Sequence, residues 1–508
     1  MSAPGASNTD DTSRLRLAVV IGDKTLPRWV HETLGTLVNH PRIDVRVIVG
    51  TATRTPRESW LQRLFRRFDQ RRATAHSAEM QDEPFIAHAD DLPRSTMADF
   101  DPDLVWQVVP TQAPISARYG VWRYEFDSGF DAIRQGKSES CVRLISTGAT
   151  THLLGTAHVR THPTSPAIIE LELQLAGQRL LRDALDRLLA HAWTPSEFLA
   201  QHPAIKPQVM KSPSIIPFAL SVLLPRLLHS RTESRTEWTV AIAPRRADGL
   251  PDTAHASWMA LPANGFIADP FVWRRDGVLH VFVEELPFAA RKGHISVTRW
   301  HPQLGFDVLE PVLNDPHHLS FPFLFDHEDR LFMMPECHES GRVRCFECVE
   351  FPHRWIERDP IMKDMRCVDA VLVQHDGRWW LFLSRATGQI ADDNLYAFHA
   401  DSPWGPWTAH TMNPVRTGLR GSRMAGGFYR DASGRLVRPA QDSSKAYGGS
   451  VVFFAVEELT AHTFRETEIT AIDPKSFPAP WSERCHTFQQ AADWIVFDAC
   501  RITPASPA

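Results

Sequence analysis

Through the second half of the chain, short apolar runs come in pairs, and each pair is split by an acid. In "FIADPFVWRRDGVLHVFVEE", Phe271–Trp273 and Val278–Val283 flank Asp276-Gly277, a strong signal for a tight β-hairpin. Asp269 stands seven residues before Asp276, and Glu284 seven after Gly277, so antiparallel pairing brings both carboxylates to the open end of the hairpin. The layout returns in "LSFPFLFDHEDRLFMMPE", "CVDAVLVQHDGRWWLFLS" and "SRMAGGFYRDASGRLVRPAQD". Turn acids fall at Asp276, Glu328, Asp376 and Asp431, each seven residues after a strand opener at Asp269, Phe321, Asp369 or Met424. The openers are 52, 48 and 55 residues apart, a period that fits propeller blades and not helical solenoids. Four blades follow directly. A fifth is expected from "RCHTFQQAADWIVFDACRI", closed by the strand Glu237 to Ala243, because propellers commonly complete the last blade with an N-terminal strand.

The first part of the chain has a different rhythm. "LRLAVVIG" and "IDVRVIVG" read as buried strands around the helically spaced "LPRWVHETLGTLVNH", the βαβ opening of a doubly wound sheet. "FDPDLVWQVV" and "YGVWRYEF" supply further strands, and Ile168 to Ala192 a long amphipathic helix. No GxGxxG follows the first strand, so a dinucleotide is not indicated. The fold class expected is therefore multidomain. A disordered tail (1–14) leads into an α/β doubly wound domain (15–209), a linker helix (210–235) and an all-β five-bladed β-propeller (236–508).

Radial repetition converts sequence columns into geometry. Asp269, Glu284, Glu336, Asp369, Ser384, Arg423, Gln441 and Asp442 share equivalent blade positions and are expected to converge at one mouth. The four carboxyl groups are the catalytic candidates, because crowded carboxylates raise one another's pKa and so provide a proton donor and a base at the same pH. Arg423 is expected to face a substrate phosphate or carboxylate, or else to clamp Asp369 or Asp442. "QDSSKAYGG", with Tyr447, is the most polar blade loop and the further expected substrate contact. Trp379, Trp380, Trp404 and Trp407 are candidates for stacking on sugar rings, against the plainer expectation that aromatics pack blade cores.

Composition narrows the classes. A net charge of −5 over 508 residues gives no general reason to expect nucleic acid. Seven cysteines, sparse and odd in number, do not make a disulfide scaffold and favour a reducing compartment. The polar "MSAPGASNTDDTSR" lacks the apolar core of a signal peptide, so a cytoplasmic location is expected. Cys345-Phe346-Glu347-Cys348 has zinc-like spacing but lacks a second pair, and no metal site is expected. Two stretches raise peripheral membrane contact as an alternative to packing. "LQRLFRRFDQRR" sets Leu61, Leu64, Phe65 and Phe68 on one helical face among five arginines, and Ser214 to Leu228 is apolar but broken by Pro217 and Pro225, too short to span a bilayer. Nothing in the sequence indicates an oligomeric state.

The ordered motifs "FIADPFV", "LSFPFLF", "MPE", "VDAVLV", "GRWWLF", "ADSPWGPW", "NPV", "SRMAGG" and "RPAQDSSKAYG" carry a family likeness. From about Trp238 to Arg501 the chain resembles the propeller domain of plant glucosamine inositolphosphorylceramide transferases and their bacterial stand-alone relatives. More distantly it is similar to five-bladed arabinanase and invertase-type glycosidases, a resemblance that implies active-site roles for Asp269 and Asp369. Those enzymes carry a general-acid Glu in the fourth blade, where this chain has "SRMAGG". Only Glu336 or Glu284 would replace it, so hydrolysis, which needs an acid and a base or nucleophile, is not the favoured expectation. Residues from about Leu15 to Leu189 resemble, more loosely, the formyltransferase fold. The Asn-x-His of that family falls on Arg123 and Glu125, so Arg123, Glu125 and Asp127 are expected to line a rebuilt N-terminal pocket.

The function expected is a glycosyltransferase-like enzyme acting on a small-molecule sugar or glycoconjugate, with a nucleotide-sugar donor as its one candidate cofactor. Formyl or acyl transfer by the N-terminal domain, glycoside hydrolysis and noncatalytic glycan binding are the alternatives.

Overall fold

The computed structural model describes residues 14–22, 25–50, 69, 86–88, 92–111, 115–190, 193–206, 234–387 and 391–504. The expected tail, most of the arginine-rich stretch and the whole of 214–228 lie outside the described residues. Two units are distinguished: Met1–Gly136 with Ser140–Ala157 and His162–Leu223, and Leu224–Ala508 with Lys137–Glu139 and His158–Thr161.

In the first region a seven-stranded sheet runs in the order Ile43–Val49, Leu15–Ile21, Leu104–Gln107, Val121–Phe126, Glu139–Thr147, Thr151–Arg160, Ala204–Ile205. Its first four strands are parallel, as the βαβ reading requires. The fifth joins Val121–Phe126 antiparallel, so the sheet is mixed and not doubly wound throughout. The next link, between Glu139–Thr147 and Thr151–Arg160, is short, and a few residues can join only antiparallel neighbours. The long helix Pro166–Ala190 falls where its apolar spacing indicates and buries Ile169, Leu173, Leu180 and Leu185.

The second region is a five-bladed β-propeller, each blade an antiparallel sheet. Blades I to IV begin with the innermost strands Gly265–Arg275, Ser320–His327, Cys367–His375 and Arg420–Met424. Blade V takes its inner strands, Phe488–Ala491 and Trp494–Pro504, from the end of the region and its outer strands, Ser234–Pro244 and Ser257–Trp258, from the beginning. The closing pair matches over its whole length, from Ser234 opposite Pro504 to Pro244 opposite Trp494. This joint shuts the ring and leaves no open edge at the seam.

The hairpin turns follow from composition. Asp276-Gly277, Glu328-Asp329 and Asp376-Gly377 all have positive φ at both turn residues, the conformation whose twist matches a two-residue hairpin. At the other end of the innermost strands lies a feature without a turn signature. The pairing slips between Ala268 and Phe271, between Ser320 and Phe323, and between Val368 and Val371. The first residue of each bulge, Asp269, Phe321 and Asp369, has φ of 51, 44 and 50°. Such bulges re-aim a side chain, and non-glycine residues at positive φ are backbone strain that the surrounding fold must sustain.

Candidate active site

Two of the three bulges carry aspartates, and the groups they meet differ. Asp269 Oδ1 accepts from Thr487 Oγ1 at 2.7 Å and Oδ2 from the Phe321 amide at 3.2 Å. His486 Nε2 lies 3.4 Å from Oδ1, and its Nδ1 lies 2.5 Å from Asp498 Oδ2. Asp498 Oδ1 in turn accepts from the backbone amides of His486 and Thr487. Asp369 faces Arg423 instead. Arg423 Nε reaches Oδ2 at 2.5 Å and Nη2 reaches Oδ1 at 3.3 Å, while Gln441 Nε2 adds 3.1 Å. The same guanidinium meets Asp392 at 3.0 Å and Glu336 at 3.5 Å and lies 5.1 Å from the centre of the Tyr447 ring. Three carboxylates on one fork leave Arg423 engaged by the protein itself.

Glu284 completes the cluster. His318 Nδ1 accepts from the Gly293 amide at 2.9 Å, which puts the proton on Nε2, 3.4 Å from Glu284 Oε1. Gly293 is required here: a Cβ would lie 2.7 Å from that carboxylate oxygen and from the Leu319 carbonyl.

Burial and mutual repulsion divide the protons unequally. Burial first, then the charges of Asp269 and Glu336, push the Glu284 carboxyl well above its ordinary range, which favours its acid form. Burial also raises Asp269, with the His486 charge opposing and Asp498 adding to the rise. Asp369 is raised well above the ordinary value by burial, against the pull of Arg423. Burial works to raise Glu336 too, but the hydrogen bond from His338, the Arg423 charge and a hydrogen bond with Asp369 outweigh it and hold Glu336 at about 2. Asp369 and Glu336 are thus a pair that shares one proton. Burial lowers His486, but Asp498 and Asp269 overcome it and lift the imidazole to about 9.

The structure therefore brings Asp269, Glu284, Glu336, Asp369, Arg423, Gln441 and Tyr447 together. Three candidates are placed elsewhere or are otherwise engaged. Ser384 is fully buried and spends its hydroxyl on the Asn394 carbonyl at 2.7 Å. Trp380 is 2 % exposed and pairs with Val373, four residues beyond Asp369 and so roughly 13 Å further along the strand. It packs against His399 and His410, and a buried indole cannot stack on a sugar. Asp442 is ion-paired with Arg420, not with Arg423. In the N-terminal region, Glu125 is held by Arg143 at 2.6 Å and lies 3.8 Å from Arg123, and Asp127 accepts from the Cys141 amide. Those groups are bound to their own sheet.

Thr487, Asp498 and Asp392 were not legible as site residues. His486 was within reach: the blade V turn is Ala492-Asp493, and counting seven back from its acid lands on His486.

The "MAGG" of blade IV has a structural cause. The Phe488 amide donates to Ala425 O at 2.7 Å, Gly426 has φ of 145°, and a Cβ there would lie 2.0 Å from the Phe488 carbonyl. Any side chain at Gly426 would force the backbone of this seam to shift.

The family described as "Glucosamine inositolphosphorylceramide transferase 1, N-terminal" matches residues 231–488, half of the chain and nearly all of the propeller. The chain belongs to this family. Glucosamine inositolphosphorylceramide transferase 1 of Oryza sativa subsp. japonica is 34% identical over 213 residues, and the protein of the same name in Arabidopsis thaliana is 34% identical over 221. Each match covers 41% of this chain and 28% of the relative, so the chain spans less than a third of the length of these relatives. Among solved structures, an exo-beta-1,3-galactanase from Clostridium thermocellum is similar at a TM-score of 0.34 and 12% identity, over 40% of this chain and 49% of that one. The catalytic domain of an alpha-L-arabinofuranosidase from Coprinopsis cinerea is similar at 0.32 and 13%, over 46% and 90%. Neither likeness bears on the roles of the residues above.

Proposed function

We propose that the propeller mouth binds a sugar or glycoconjugate and transfers a glycosyl group to an acceptor hydroxyl, with a nucleotide sugar as donor. The observation that carries this reading is the geometry of one buried carboxyl cluster: Glu284, whose acid form burial favours, stands with an Asp269 that accepts from Thr487 and the Phe321 amide and has His486 beside it. Asp269 takes the acceptor proton as the acceptor oxygen bonds to the anomeric carbon, and the bond to the donor phosphate breaks with its electron pair leaving on the phosphate. Glu284, as the acid form, donates a hydrogen bond to a sugar oxygen and keeps its proton. Asp369 is less suited to the base role, because it is clamped by the permanent charge of a bidentate Arg423 and by Gln441. The names of the relatives support a transferase acting on a glycolipid, and the membership in their family brings that substrate class to this chain as part of the proposal.

Noncatalytic glycan binding is the second reading. It is favoured by the 28% coverage of the relatives and by an Arg423 already satisfied by protein carboxylates. Thermal shift separates the two, since a ligand that binds the native state raises the melting temperature by mass action. A shift with a nucleotide sugar supports transfer, and a shift with oligosaccharide alone, without turnover, supports binding.

A further inference from the structure

Asp269 is the only one of the four clustered carboxyl candidates that meets a histidine whose other ring nitrogen is held by a second buried aspartate. Asp498 is fully buried, Asp269 is 6 % exposed and His486 4 %. The imidazole stacks on Trp238, with ring centres 4.1 Å apart, and lies edge-on to Tyr447. Gly448, at φ of 59°, leaves room for it, since a Cβ there would come within 2.7 Å of the His486 Cβ. The ring is thus fixed in plane and in rotation.

We infer that Asp498 and His486 are positioning residues for Asp269: Asp498 is paired with Nδ1, the Nε2 edge is presented to Asp269 Oδ1, and the ring is the cation that favours the Asp269 carboxylate against the acids around it. The inference rests on the reading of Asp269 as the base. The carboxyl and histidine oxygens and nitrogens of these three residues lie within 4.8 Å of one another, a span that would also admit a cation. The geometry favours an ion pair instead, because the two carboxylates take opposite ring nitrogens and one ion can use only one nitrogen of a ring.

The charges around this triad come from every blade. Asp269 is faced by Glu284 from blade I, Glu336 from blade II, Asp369 from blade III, Tyr447 from blade IV, and His486 and Asp498 from blade V. His486 is faced by Asp498, Asp269 and, less favourably, Arg423. The acids around Asp269 all oppose its ionisation. His486 is the cation in contact with it, and Arg423 is spent on Asp369, Asp392 and Glu336.

The test uses the unliganded full chain labelled with 15N-histidine, with the His486 signal assigned by its loss in H486Q. The expected result is a doubly protonated ring at pH 7.5, a titration lowered by ~1 unit or more in D498N, and an Asp269 carboxyl, followed by 13C, that titrates ~1–3 units higher in H486Q. A neutral ring at pH 7.5, before or after dialysis against EDTA, overturns the inference. So does an Asp269 titration unmoved in H486Q. If H486Q does not fold, His486 is assigned in the wild type by its shift in D498N, which carries the test alone through the ring titration.

Turnover separates this inference from the function it rests on. If Asp269 is the base, the acid limb of the rate profile moves up in H486Q together with the carboxyl titration. If the carboxyl moves and the rate limb does not, the positioning stands and the base role of Asp269 falls.

Discussion

Asp269 and Asp369 are the same residue, at the same bulge, with φ of 51 and 50°, in blades I and III of one ring. Their surroundings make them different groups. Asp269 meets a hydroxyl, an amide and a histidine; Asp369 is closed by a bidentate arginine and a glutamine. Backbone repetition delivers a side chain to the axis, and the neighbouring blades decide its chemistry. Phe321, at the equivalent place in blade II with φ of 44°, shows how little the bulge itself specifies. There the side chain packs edge-on against Phe271 at 4.7 Å.

The sharpest test of the contrast is the paired substitution of the two aspartates by asparagine. D269N is expected to lower turnover by ~10²–10⁴-fold, the usual loss of a general base, with a small change in melting temperature. D369N is expected to lower stability by about 1–3 kcal/mol through loss of one of the two oxygens that accept from Arg423, measured by urea unfolding. Equal effects of the two would remove the distinction.

Next in size is R423M, which leaves Asp369, Asp392 and Glu336 without their cation. Breaking a buried ion pair from one side costs about 3–5 kcal/mol, and chemical denaturation measures it. A neutral outcome would show that the blade III side does not depend on its arginine.

The two sides should also fail at opposite ends of the pH scale. His486 is raised from 6.5 to about 9, so its contribution is complete below the unfolded value near 6.5 and is lost as pH rises through 9. Neutral Glu284 acts in the same sense. Glu336 is depressed from 4.5 to about 2, so its contribution is complete above 4.5 and is lost as pH falls through 2. The His486 and Glu336 shifts each correspond to stability on the order of 3 kcal/mol. Melting temperature against pH reads both limbs, and D498N is expected to weaken the alkaline one alone.

A smaller effect is expected at the seam between blades IV and V. G426A places a Cβ against the Phe488 carbonyl in a backbone conformation that L residues rarely adopt, and a cost of about 1–3 kcal/mol follows. Smallest is Y447F, which keeps the ring beside Arg423 and is expected to change stability by less than about 0.5 kcal/mol. A large loss of ligand binding in Y447F would assign its hydroxyl to substrate.

Much of this architecture was legible in the residues. The Asp276-Gly277 and Asp376-Gly377 turns announce their hairpins, the near-constant spacing of openers announces the blades, and the column from Asp269 to Gln441 announces most of the acid cluster. Trp380 and Ser384 were misplaced because a blade column records which face a residue points to, not how far along the axis it lies or what covers it. His486 was within reach of the same seven-residue count, taken from Asp493, whereas Asp498 stands on the second strand of a blade assembled from both ends of the region.

The sequence alone thus determined periodicity, turns and the identity of the side chains sent to the axis, because these depend on local backbone preference and strand alternation. Only the tertiary structure decided which carboxyl keeps a proton, which is clamped by Arg423 and which faces His486. Those outcomes depend on distances between blades roughly fifty to more than two hundred residues apart in the chain, and on burial that strengthens every charge in the cluster.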